Sequence, residues 1–172
     1  MTTGVLLLPA LLQMLAMLFD EGVFHRKRGL PRWERLGHPL DTLTVAACYA
    51  WLVANRPGRH ALAMYVGLAG FSCLFITKDE FVHARYCEAG EGWLHAVLFV
   101  LHPIVFLAFG VLWYSREAGP GSGQLGAFIL RAQLVATLAF CVYQVLYWSV
   151  PWKKLSRSQA ITDPSTTTST RR

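Results

Sequence analysis

The sequence predicts an all-α protein: an integral membrane bundle of five transmembrane helices, amino terminus outside and carboxyl terminus in the cytoplasm. Composition is the first ground, because 54% of the 172 residues are hydrophobic and only 15% charged, against about 25% charged in a soluble domain. The second is that uncharged runs recur near the length, roughly 20 residues, that crosses about 30 Å of hydrocarbon. The third is that Lys and Arg gather on alternate loops. A soluble enzyme, a secreted disulfide scaffold and a wholly disordered chain are excluded. A porin-like barrel is excluded too, because the runs are continuous and do not alternate.

The first span is expected near Gly4–Val23, where no charge interrupts the chain until Asp20. A cleaved leader would need Lys or Arg ahead of the apolar run; here the basic residues follow it. The second span, Pro39–Asn55, is short and begins in a polar stretch around His38. Ala61–Val82, Trp93–Tyr114 and Gly126–Val150 complete the set. Residues 1–155 form one membrane domain, and 156–172, rich in Thr and Ser, form a disordered cytoplasmic tail.

Orientation follows from the positive-inside rule. Arg26, Lys27, Arg28, Arg32, Arg35, Arg85 and the basic residues of the tail fall on one side; Arg56, Arg59 and Arg116 fall on the other. The basic side is cytoplasmic, which points to the cell's inner (plasma) membrane. Basic loops beside anionic lipid account for the net charge of +6 with no nucleic acid partner. The four Cys, at 48, 73, 87 and 141, form no close pair, so neither a disulfide nor a CxxC motif is expected.

The chemistry concentrates on the cytoplasmic side. Residues three or four apart share a helix face. Glu21 precedes His25 by four, His38 precedes Asp41 by three, and His83 follows Asp79 by four and Glu80 by three. Glu91 precedes His95 by four, and His102 lies seven further, about 10 Å along the axis. Charges at membrane depth cost about 2.5–3.5 kcal/mol each on insertion scales and are rarely kept without a partner. A divalent metal would absorb them, and mixed His and carboxylate ligands suit iron or zinc. His38, Asp41, Asp79, His83 and His95 are the expected metal ligands; Glu21, Glu80 and His102 are the expected catalytic groups. Glu34, Glu88 and Glu117 read as interfacial charges at helix ends.

These residues predict a membrane-embedded metal-dependent enzyme, an oxidase, hydroxylase or hydrolase, acting on a lipid-like substrate at the cytoplasmic leaflet. A metal-ion or proton transporter or sensor is the alternative, but polar groups thin out towards the outer face and no inverted repeat is visible. A salt-bridge network, with Lys78, Arg26 and Arg85 neutralising Asp79, Glu21 and Glu88, is a second alternative, and bis-histidine haem binding through His95 or His102 a third. The HxxxH and HxxHH boxes of membrane desaturases and hydroxylases are absent. Glu-x-x-His occurs once, at Glu80–His83, where a ferritin-like di-iron bundle uses it twice.

Overall fold

In the computed structural model, which describes residues 3–81, 87–117 and 122–149, every regular element is a helix. We number them α1 (Thr3–Arg28), α2 (Arg32–Ala54), α3 (Arg59–Phe75), α4 (Ala89–Tyr114) and α5 (Ser122–Ser149). The helix α3 tightens into a 3₁₀ turn at Ile76–Asp79, and α4 into another at Ser115–Glu117. His83 and the side chain of Asp79, like the tail at 156–172, lie outside the described residues.

Among the described residues, four stretches are long and apolar enough to cross a membrane: Thr3–Arg28, Arg59–Lys78, Ala89–Tyr114 and Gly123–Trp148. This amends the expectation of five apolar crossings. The helix α2 has 23 residues, about 34 Å at 1.5 Å per residue, but Arg32, Glu34, Arg35, His38 and Asp41 occupy its first half. Large apolar side chains stand exposed on all five helices, among them Leu12, Leu40, Phe71, Leu107 and Phe128. Such a surface belongs against lipid tails rather than water.

Chain reversals follow local chemistry. Gly29 adopts φ 74°, the left-handed region that glycine enters without a Cβ penalty, and it ends α1 as its N–H bonds the His25 carbonyl at 2.8 Å. Pro31 then stands in extended backbone just ahead of α2, where a missing N–H is of no consequence. Pro39 sits inside α2 rather than opening it; the helix starts seven residues before the expected boundary, at Arg32.

The helix α2 packs along α5 and α3, and α4 packs on α1, with lesser contact to α3 and α5. The closest packing lies in the half of the bundle away from Arg28. There Tyr49 and Leu52 of α2, Tyr65 of α3, and Phe106, Phe109, Leu112 and Trp113 of α4 form the core. A Cβ on Gly110 would come within 3.0 Å of the Tyr65 ring, so this glycine lets α3 and α4 approach. The Tyr65 hydroxyl donates to the Phe106 carbonyl at 2.6 Å, and Trp113 Nε1–H to the Asn55 carbonyl at 3.0 Å.

Candidate functional site

The other half of the bundle is polar inside. Three helices each bring a Glu followed four residues later by a His: Glu21 and His25 on α1, Glu34 and His38 on α2, Glu91 and His95 on α4. The i, i+4 spacing stacks each pair on one face. Those faces converge, with the His25 ring 4.9 Å from that of His38 and 6.2 Å from that of His95. All three glutamates are buried, Glu34 completely.

A local distortion of α1 adds a fourth carboxylate. Asp20 lies five residues before His25, which in a regular α-helix at 100° per residue would point it about 140° away. Residues Asp20–His25 instead form a π turn, whose wider i→i+5 pitch brings Asp20 onto the His25 face; such turns recur at functional sites. His25 therefore meets both acids. Its Nδ1 lies 3.0 Å from Glu21 Oε2, and its Nε2 3.2 Å from Asp20 Oδ2 and 3.8 Å from Glu91 Oε1. Asp20 Oδ2 also lies 3.2 Å from His95 Nε2.

Outer groups hold this cluster in place. Trp148 Nε1–H of α5 donates to Glu21 Oε1. Arg28 grips Glu34 through both terminal nitrogens, at 3.3 and 2.8 Å, and also reaches Glu91 at 2.8 Å. Glu21 Oε2 accepts a hydrogen bond from His25 Nδ1–H, an arrangement that points Nε2 at Asp20 and Glu91. That is how a carboxylate sets the tautomer of a metal-binding imidazole. Nε2 makes no hydrogen bond of good geometry, and neither does Asp20 Oδ1, although both residues are buried. Buried polar atoms in folded proteins nearly always have partners.

One ligand atom each from Asp20, His25, Glu91 and His95 can lie within 4.8 Å of one another, and the same holds for His25, Glu34 and His38. Either group could hold a metal ion. The first is fully buried and contains His25 Nε2, which makes no well-formed hydrogen bond. Among the described residues four carboxylates gather here, and Arg28 bonds two of them, Glu34 and Glu91; protons on the histidines or a bound dication would neutralise the others. Cys87 lies outside the ligand set: burial pushes its thiol up to about 12, with the Glu91 charge adding to the effect.

Of the residues expected from the sequence, His95 belongs to this centre and His38 borders it. Glu21 is in place, but as the group that orients His25. Asp41 is held by Lys78 Nζ, 2.7 Å from both carboxylate oxygens, and belongs to neither group. Glu80 is exposed just past the 3₁₀ turn that follows α3. His83 and the Asp79 side chain lie outside the described residues. His102 is buried one layer deeper, with Nδ1 3.3 Å from Gln13 Nε2 and Nε2 3.0 Å from Ser72 Oγ. Of the expected ion pairs, Arg85 lies outside the described residues; Lys27 meets Glu88 at 3.0 Å, and Arg26 lies over the Tyr147 ring rather than on Glu21. Asp20, His25, Glu34 and Glu91 were not among the expected ligands. The repeated Glu-x-x-x-His spelling was the available signal for three of them.

A cavity of about 340 Å³ opens from the cluster along the bundle. Asp20, Glu21, His25, His38 and His95 line one end, and Met17, Leu98, Phe99 and Phe140 the middle. The aromatic core closes the bundle beyond it. No protein-family model, curated protein or solved structure matches the chain.

Proposed function

We propose that the protein is a metal-dependent membrane enzyme acting on a lipid or other hydrophobic substrate at the cytoplasmic leaflet. One observation carries the reading: a buried His25 Nε2, oriented by Glu21 and left without a hydrogen bond, faces Asp20, Glu91 and His95 at the head of an apolar cavity. Asp20, His25, Glu91 and His95 would hold the ion, and two imidazoles with two carboxylates suit iron or zinc. A bound divalent metal supplies Lewis acidity or activates an oxygen species for attack. The chain's own groups do the rest. Glu21 holds the His25 proton at Nδ1, Arg28 steadies Glu34 and Glu91, and the apolar walls exclude water from the reacting end.

The same reading has all five helices crossing the bilayer, α2 included, because α2 is buried between α3 and α5 and exposes Leu36, Leu40 and Leu43 outward. Arg26, Lys27, Arg28, Arg32 and Arg35 place the cluster's end in the cytoplasm by the positive-inside rule, with the amino terminus outside and the plasma membrane as the location. A metal-ion or proton carrier is less well supported. The Tyr49, Phe109 and Trp113 core fills the half of the bundle a conduit would have to traverse.

The experiment is lipid mass spectrometry. Purified protein loaded with iron or zinc is incubated with a total membrane lipid extract, under air and without it, beside an Asp20→Asn control. The reading expects a lipid species converted by the wild type and untouched by the variant. An unchanged extract with both metals would refute it.

A further inference from the structure

Seven residues separate Asp20 from Gln13 on α1, and seven separate His95 from His102 on α4. The two helices pack against each other, so Gln13 and His102 form a second polar layer about 10 Å deeper than the first. They meet there at 3.3 Å, Gln13 Nε2–H donating to His102 Nδ1. His102 Nε2–H then donates to Ser72 Oγ at 3.0 Å, and Ser72 bonds Thr44 Oγ1 at 2.7 Å. Both imidazole nitrogens are thus used within the protein, and the chain of bonds fixes the Gln13 amide. Its Oε1 has no partner. Gln133 of α5 lines the same cavity; its backbone carbonyl accepts from Thr137 Oγ1 at 2.8 Å, while its side-chain amide makes no hydrogen bond among the described residues. Between the two layers the walls are mainly apolar, and the polar side chains there, Thr42, Gln144 and Thr137, already bond within the protein.

We infer that the ligand of this cavity is a slender single-chain amphiphile with two hydrogen-bonding groups about 10 Å apart, one at the His25 cluster and one donating to Gln13. Its substrate aspect rests on the reading of the cluster as a reactive centre. Shape supports a single chain. On α1, α2 and α4 the lining extends ten or eleven residues from the cluster, to Ala10, Tyr49 and Val105, about 15 Å. The 340 Å³ volume is therefore drawn out along the helices rather than rounded, a shape that an extended chain follows and a compact ring system does not. Entry from the bilayer is open, because α1 and α5 both line the cavity without packing extensively on each other. A simple alkyl tail would leave the deep amides without partners; a hydroxyl or amide on the chain satisfies them.

The test compares octan-1-ol with octane-1,8-diol, titrated calorimetrically into the full-length protein in nanodiscs, against Gln13→Met and Gln133→Met. The diol's preference over the mono-alcohol should fall about tenfold in Gln13→Met, the equivalent of one hydrogen bond of about 1.4 kcal/mol, and in the same direction in Gln133→Met. A preference unchanged in both variants, or no binding of either alcohol to the wild type, overturns the inference. Metal content measured on the same samples reports separately on the cluster. Diol selectivity without metal would sink the enzyme reading alone, and metal without selectivity would sink this one alone.

Discussion

The two halves of the bundle solve opposite problems with the same helices. Away from Arg28, polar groups are spent on backbone carbonyls: Tyr65 on Phe106, Trp113 on Asn55, Trp51 on Ala61. The space between is filled by Tyr49, Leu52, Phe106, Phe109 and Leu112. Near Arg28, four carboxylates and three histidines are gathered and a cavity is left open. Buried ionic groups of this kind are seldom net stabilising. Rigidity thus comes from one half and chemistry from the other.

Mutations that separate the halves should therefore separate stability from metal binding. Phe109→Ala removes a fully buried ring from the packed half. It should lower unfolding stability in detergent by about 3–5 kcal/mol, while metal per folded molecule stays unchanged. Arg28→Met strands Glu34 and Glu91 without their shared guanidinium and should lose a similar amount, about 3–5 kcal/mol, a deficit that saturating metal partly restores. If metal gives no protection to this variant, the carboxylates it frees do not serve an ion. Tyr65→Phe deletes one hydrogen bond to a backbone carbonyl and should lower the unfolding free energy by about 1 kcal/mol. The smallest effect is expected at His102. His102→Gln retains a side-chain amide for Gln13 and Ser72, and should shift stability by less than about 1 kcal/mol with full metal content. Loss of metal in that variant would move His102 into the centre.

The helices were legible because lipid demands continuous apolar runs, and Trp93–Tyr114 needed only its first turn added to match α4. The site was harder to read, because its residues sit where those runs end. Glu34, in the polar turn at Arg32–His38, reads as an interfacial charge, since a lone acid at a helix end usually faces water. Glu91, in the turn at Ala89–Gly92, pairs with His95 by spacing yet was not among the expected ligands. The structure continues α2 and α4 through both turns and buries Glu34 and Glu91 against Arg28. Asp41 seemed a strong ligand from its apolar neighbours, but Lys78, reached only through the packing of α2 on α3, occupies it. Asp20 was beyond reach for another reason. Only the π turn carries it onto the face of His25, and no spacing rule for α-helices anticipates that.

Elemental analysis by mass spectrometry, on protein purified without added chelator, tests the central claim most directly. The wild type should carry a transition metal, iron or zinc, in stoichiometric amount. His25→Ala and Asp20→Asn should each lose it, and the double variant should lose no more than either, because ligands of one site fail together. Asp41→Asn should keep it. A wild type that folds, resists unfolding and holds no metal after reconstitution with either ion would contradict the account, leaving the four carboxylates and three histidines as a proton-balanced network.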